Sequence, residues 1–427
     1  MNWKDMFPKT ILLFPIELEE GEPESEKGTK KSRGVAMIVA VMIISLMMMF
    51  ASDYIVSSSV DLTLASAERD NVKAEYIAKS GANWALWLNL FDYGLDVQFS
   101  SAKDPAMTQA KAAIGPLWNK LNDIFSYDMP VDLTKVDKFA ALFGLSEVMD
   151  SKIIDFFKSM DGELGVLAED EGGKINLNVC YQNQTNCKII IAQLTALLGC
   201  TEVEREFLKQ NNIKPEEVAA KIQDWIDQNS AAEPNSGVSS EDDPYQKRTP
   251  TFKSKNSPMD TLDELKIVED WSSDLHSYFS PYLTVYPFTH SQDKDKSAFK
   301  LNVNSMNQEV LKCFFSKELG SPESKQNFVK KYKELVDQGG QVAGDDKALQ
   351  SLLKDVIGFQ PDAAEKGKET DKSNWLTTQS RAFKVRAKGI VGNQTRTVEF
   401  NIERQSIAQR KGTTGLSPWR LNGFSMK

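Results

Sequence analysis

Polar and apolar positions divide this chain sharply near its start. From Val35 to Ala51 the run VAMIVAVMIISLMMMFA carries no charge, and it passes through Ser52-Asp53 into Tyr54-Ile55-Val56. At about 1.5 Å of rise per residue, some 20 residues cross a hydrocarbon core of about 30 Å. Residues 35–56 are therefore expected to form a transmembrane helix. Beyond them, Asp61 to Leu90 places Leu64, Ala67, Val72, Tyr76, Ala78, Ala82 and Leu86 at largely three- and four-residue intervals, the period of one helical face. The two patterns join without a break. A single helix from Val35 to Leu90 is expected, apolar all round in its first half and striped in its second.

After Leu90 the chain turns polar, with helical periods over 108–125 and 135–160. Gly162 to Ala168 reads as a strand, Glu169 to Gly173 as an acidic turn and Lys174 to Asn178 as a returning strand, so a hairpin is expected here. Helical patterns follow over 188–198 and 215–228, and then a long loop rich in Ser, Asn, Pro and acids from Gln228 to Pro250. The hexapeptide FKLNVN at Phe299–Asn304 echoes GKINLN at Gly173–Asn178, and each copy precedes an apolar helical stretch. Two related strand–helix units are implied. Their asparagines are suited to hydrogen-bonding the first amides of the next helix, a structural role. Near the C-terminus, Phe383–Val391 and Thr395–Arg404 alternate with period two around Gly392-Asn393-Gln394, a strong hairpin signal. The class is α+β: a long helix, a small antiparallel sheet drawn from both ends, and a large, mostly helical middle.

Charge and composition narrow the chemistry. The basic cluster Lys30-Lys31-Ser32-Arg33 stands just before the apolar run, which by the positive-inside rule keeps the N-terminus cytoplasmic and exports the rest. A cleaved secretory signal, an ordinary anchor and a signal cut before the apolar helix all compete for this segment. The run lacks a small-x-small site at its end, and Arg33-Gly34-Val35 resembles a prepilin-peptidase junction. A net charge of −9 argues against nucleic-acid phosphates as partner. Two histidines, His276 and His290, offer little for zinc, and no nucleophile elbow or phosphate loop accompanies the pair Asp274 and His276, so no enzyme is expected. Cys180 and Cys187, with six residues between them in an exported region, are expected to form a local bridge; Cys200 and Cys313 either pair or stay buried thiols.

Several local sequences, in order, resemble one family. They are Arg33-Gly34-Val35-Ala36 with the apolar run, Tyr76–Ala82 with Trp84-Ala85-Leu86, Lys174–Asn178, Asp224-Trp225-Ile226-Asp227, Glu241-Asp242-Asp243-Pro244-Tyr245, Asp260–Leu265, Tyr282–Tyr286 and Leu301–Asn304. Together they resemble general secretion pathway protein K, the largest minor pseudopilin of type II secretion. Most pilins carry glutamate as the fifth mature residue; here it is Val39, as is characteristic of the K class. The long leader with its own apolar piece, Met6 to Leu18, the extended 90–160 region and the Ser417–Leu421 tail depart from the family.

The resemblance implies a pilin-like fold divided into a leader over 1–34, a transmembrane helix start over 35–56, and the rest of the helix with the first sheet strands over 57–175. An inserted helical domain over 176–375 and a closing hairpin and tail over 376–427 complete it. It implies cleavage between Gly34 and Val35, methylation of the new N-terminus, and calcium held by Asp227, Glu241, Asp242 and Asp243, whose oxygens suit a hard cation. The implied partners are the I- and J-type minor pseudopilins, the major pseudopilin, prepilin peptidase and the inner-membrane secretion platform. The implied role is at the pseudopilus tip, anchored in the inner membrane with the large domain periplasmic. A minor pilin of a type IV pilus and a signal-anchored periplasmic binding protein are the alternatives.

Overall fold

A computed structural model of the chain describes residues 32–101, 127, 161–181, 184–200, 208–286, 299–339, 342–343, 346–359, 371–404 and 419–426. Residues 1–31, the helical periods over 108–125 and 135–160, and His290 lie outside the described residues. In chain order the main elements are α1 (Ser32–Ser101), β1 (Glu163–Asp170), β2 (Ile175–Asn176), α2 (Gln184–Leu198), α3 (Pro215–Ile226), α4 (Ser273–Phe279) and β3 (Leu283–Thr284). Then come β4 (Leu301–Asn302), α5 (Gln308–Phe314), α6 (Pro322–Gly339), β5 (Leu376–Thr377), β6 (Ala382–Val391), β7 (Gln394–Arg404) and β8 (Trp419–Met426). Contacts divide the chain between Ser66 and Ala67, and each part stands by itself.

In the first part α1 is a bare apolar rod. Every described side chain from Val35 to Ala65 is exposed, Met37 at 72% and Met49 at 73% among them. Among the described residues this is the one helix long and apolar enough to cross a membrane. Several of its hydroxyls are satisfied within the helix: Ser45 Oγ donates to the Val41 carbonyl at 2.8 Å and Thr63 Oγ1 to that of Ser59 at 2.8 Å. An environment without water requires that internal satisfaction.

In the second part, α1 lies on a four-stranded antiparallel sheet of order β1-β6-β7-β8. The seam is built from Ala74, Ile77, Ala78, Ala82, Ala85 and Leu88 against Leu164, Val166, Phe383, Val385, Ala387 and Phe400. Burying a side chain such as Phe383 contributes about 1.5–3 kcal/mol. This corrects the stripe read from periodicity. Leu64, Val72 and Tyr76 are exposed, and only Ala78 and Ala82 of the predicted seven are core. Close approach decides the seam: a Cβ on Gly389 would stand 2.1 Å from the Ala74 carbonyl oxygen, and one on Gly81 2.5 Å from Leu164 Cδ1. Small residues win the contact because the backbones nearly touch. At the far end a buried ion pair, Arg404 Nη2 to Asp92 Oδ2 at 2.6 Å, ties β7 to the helix.

The hairpin expected at 162–178 does not form. β1 pairs instead with β6, Asp170 opposite Phe383, and β2 leaves to pair in parallel with β3. Asp170 causes the departure: its Oδ1 accepts from Gly172 N–H at 2.7 Å, and Glu171–Gly173 becomes a 3-10 turn. The predicted β6–β7 hairpin does form, with Gly392 at φ +55° in its turn. β8 adds a fourth strand that the loosely patterned tail did not announce.

Between β1, which ends at Asp170, and β6, which starts at Ala382, sits the helical insert with its own core. Its two half-units match in detail. β2 pairs in parallel with β3, and β4 with β5. Asn176 Oδ1 accepts from Asn178 N–H at 3.1 Å, and Asn302 Oδ1 from Asn304 N–H at 3.1 Å. Asn178 then clamps Met259 through its N–H (2.7 Å) and carbonyl (2.9 Å), and reaches the Val285 carbonyl at 2.8 Å. Asn304 accepts from Val342 and Ala343 N–H, each at 2.9 Å, and donates to the Ala343 carbonyl at 2.8 Å. Asn176 bonds an early amide of the 3-10 helix Leu177–Tyr181 that follows it, as expected, whereas Asn178 and Asn304 fasten distant backbone, because a two-residue strand exposes few ladder bonds of its own. Disulfides join Cys180 to Cys187 inside the first half-unit and Cys200 to Cys313 between the two.

Candidate cation site

The acidic loop of the first half-unit starts at the C-terminal end of α3. Asp224 and Asp227 are three residues apart, so they share one helical face, and both are buried. The loop that follows returns to the same helix end, where Asn256 N–H donates to the Trp225 carbonyl at 3.0 Å. Tyr245 and Phe252 stack around that return with Trp225 edge-on to both, and the Arg248 guanidinium lies 5.4 Å over Tyr245 and 5.7 Å over Phe252. The packed rings bring Glu241 into the interior, 2% exposed.

Each of the three buried carboxylates has one oxygen held and one left over. Asp224 Oδ1 accepts from Glu233 N–H at 2.8 Å, Asp227 Oδ2 from Asn229 Nδ2 at 2.8 Å, and Glu241 Oε2 from Ser254 Oγ at 3.3 Å. Asp224 Oδ2, Asp227 Oδ1, Glu241 Oε1 and the amide oxygen of Asn256 are buried without a hydrogen-bond partner. Nearby cations are already engaged: Lys221 pairs with Glu269 and Asp270, and Lys255 with Asp260 and Glu264.

Burial pushes Asp224 and Asp227 up to about 6, with repulsion from Asp227 and Glu233 adding to the first and from Glu233 to the second. Burial likewise pushes Glu241 up to about 7, with Asp227 and Asp224 repelling its charge. Buried like charges and orphaned oxygens both call for a cation. Among the described residues no group of three or more His, Cys, Asp or Glu side chains is placed to hold a metal ion. A cation here would have to draw on amide and backbone carbonyl oxygens beside the carboxylates, a mixed oxygen set of the kind that calcium accepts.

The four residues named from sequence separate here. Asp227 and Glu241 belong to the cluster. Asp242 Oδ1 accepts from Ser254 N–H at 2.9 Å, and Asp243 Oδ2 from Ser240 N–H at 3.0 Å, so both fasten the loop. Asp224 and Asn256 add buried oxygens without a hydrogen-bond partner; the spacing of Asp224 to Asp227 was the readable signal. His276, read beside Asp274, faces Asp263 at 3.5 Å. Asp227 also lines a polar cleft of about 490 Å³ with Gln228, Asn229, Cys180, Tyr181, Gln184 and Thr185. Gly34 and Val35 lie in the first turns of α1.

Residues 173–288, which contain all of this site, match the family described as type II secretion system (T2SS), protein K. Among solved structures, one chain of "The Crystal Structure of the GspK-GspI-GspJ complex from enterotoxigenic Escherichia coli Type 2 Secretion System" is similar at 16% identity and a TM-score of 0.43. That similarity covers 62% of this chain and 80% of the other. No curated protein matches.

Proposed function

We propose that the chain is a type II secretion minor pseudopilin of the protein K type, a reading supported by its match over residues 173–288, and that it caps the pseudopilus and helps to start its assembly. The match carries this reading, because it falls on the insert that most enlarges the fold beyond a helix and a sheet. The exposed first half of α1 supports membrane anchorage before assembly and packing against other apolar helices afterwards. Val39 supports a terminal position: it leaves no buried carboxylate that would need a neighbour's N-terminus as partner. In this reading the helix pairs with the I- and J-type minor pseudopilins, the large part is periplasmic, and the growing fibre moves folded cargo toward the outer membrane.

Processing follows the junction. Prepilin peptidase cuts after Gly34, and Val35 becomes the mature N-terminus, a substrate for methylation. Intact mass and N-terminal sequencing, from cells with and without an active prepilin peptidase, test this. A chain starting at Val35 only when the peptidase works is expected; retention of residues 1–34 in both would remove the pseudopilin reading.

Calcium would be held by Asp224, Asp227, Glu241 and Asn256, and would supply the positive charge that their free oxygens lack. Asn229, Ser254 and the Glu233 amide hold the carboxylates for it. Its work is structural: it joins the end of α3 to a loop that otherwise closes around repelling charges.

A further inference from the structure

The face of the sheet turned away from α1 has an arrangement of its own. Along β6, Val385 and Ala387 point to the helix, so the alternating Lys384, Arg386 and Lys388 stand on the opposite face. Two of the three find carboxylates there: Lys384 pairs with Glu399 at 2.9 Å, and Arg386 with Glu169 at 2.9 Å. Lys388 is flanked on its rung by Gly165 and Thr397, neither of them acidic. An aromatic ring stands where the acid would be. The Lys388 ammonium lies 4.5 Å from the centre of the Tyr127 ring, and the Arg386 guanidinium 5.8 Å from it.

Gly165 shows how closely Tyr127 is seated. Its neighbours Leu164 and Val166 face α1, so a Cβ on Gly165 would point the other way, and it would stand 2.7 Å from the Tyr127 carbonyl oxygen. Three adjoining positions of one face thus converge on a single residue of the connection between α1 and β1. That connection has far to travel. The helix runs on to Ser101, whereas Asp161, just before β1, pairs with Lys73 at 2.6 Å, well back along α1. From Lys73 to Ser101 a helix rises about 40 Å, a return that about a dozen extended residues would make. The chain uses residues 102–160 for it.

We propose that the sheet face opposite α1 is a docking surface for this chain's own connection 102–160, with Tyr127 as the anchor over the Lys388 ammonium. The subunit fills that face from within, and a neighbouring subunit is left α1 and the insert to pack against. Two properties of the anchor follow. A cation over an aromatic face is attracted by the ring and not by the hydroxyl, so phenylalanine serves as well as tyrosine. Glycine at 165 is what lets the anchor's backbone approach the strand, because a strand glycine commonly marks such a close approach.

The test uses the full oxidised chain in detergent. Lysine acetylation, read by mass mapping, compares Lys388 with Lys384, and limited trypsin digestion reports cleavage within 102–160. Tyr127→Ala is expected to raise the labelling of Lys388 by about two- to fivefold, the population factor of an exposed cation–π contact, with Lys384 unchanged. Cleavage within 102–160 is expected to quicken with it, and Tyr127→Phe to keep both at the wild-type level. Gly165→Ala repeats the test from the sheet side. Alanine favours the strand itself while its Cβ expels the anchor, so faster cleavage at an unchanged or higher Tm is expected, a combination that unfolding does not produce. Either readout unchanged in both alanine variants overturns the docking. Protection of Lys388 that fades on dilution of the wild-type chain overturns it too, because a second copy is then the occupant.

Discussion

The two half-units of the insert solve one problem in two ways. Both begin with an asparagine pair whose first member ends a two-residue strand, and both end on a Leu-Thr strand whose threonine hydroxyl accepts from the amide two residues on, at Tyr286 and Gln379. They differ in the path to the clamped backbone. The second leaves α6 at Gly339 and reaches Val342-Ala343 almost at once, steadied by Tyr332, whose hydroxyl reaches the carbonyls of Val303 and Met306. The first leaves α3 at Ile226 and wanders to Met259 through a loop with buried carboxylates. A short link needs only a hydroxyl and an amide; a long one needs fixed charge. Adding polar loop to a half-unit thus costs it self-sufficiency, and an ion bound at the orphaned oxygens would make up the loss.

The clamps should show the largest effects. Asn178→Ala removes three bonds and strands buried backbone groups of Met259 and Val285, each worth about 1–3 kcal/mol. A loss of roughly 3–5 kcal/mol in denaturant melts is expected, with a smaller loss for the partly exposed Asn304→Ala. Negligible losses at both would remove the clamp role, and a loss at Asn178 with none at Asn304 would break the equivalence of the half-units. Next comes the bridge between them: Cys200→Ser/Cys313→Ser should cost roughly 2–4 kcal/mol in urea melts, without altering the order in which the half-units open.

Calcium should separate the half-units more finely. At a hundredfold excess over its dissociation constant a bound ion stabilises by about 2.7 kcal/mol, and hydrogen exchange should slow over 224–256 while Val342-Ala343 stay unchanged. Uniform slowing, or none, would remove the contrast. The smallest effect is the pH trend. Asp224 and Asp227 at about 6 and Glu241 at about 7 hold protons that the unfolded chain releases near pH 4. In chelator, stability from these groups is present below about pH 4 and is lost as pH rises through about 6 to 7. Calcium binds the deprotonated set, so its gain in Tm should be larger at neutral pH than near pH 5. A gain independent of pH would place the ion elsewhere.

Much of this architecture is legible along the chain, where the signals are local. Charge-free run and helical period announce α1, the Gly392-Asn393 turn announces β6–β7, and the echoed asparagines announce the half-units. Pairing over distance is not legible. Alternation in Gly162–Ala168 marks a strand without naming its partner, and a polar turn behind it reads as a hairpin until Asp170 is seen to cap a 3-10 turn. The seam of α1 depends on how near the sheet comes, which hydrophobicity alone does not encode. At the site, acidity drew notice to Asp242 and Asp243, whereas burial selects Asp224, and burial is set by the aromatic packing of residues far along the loop.

The rung at which Asp170 faces Phe383 has one more implication. Topologically the whole insert is the connection of a β-hairpin, and Asp170 knots its two ends, its Oδ2 accepting from Asn302 Nδ2 at 2.9 Å and Ser380 Oγ at 2.6 Å. Closing a flexible connection of roughly 210 residues would tax sheet formation, though only logarithmically with length. An insert that orders itself first delivers its ends side by side and shrinks that connection to a few residues. Mass can then be added at this rung, generation after generation, while the ladder of β1 and β6 keeps its register.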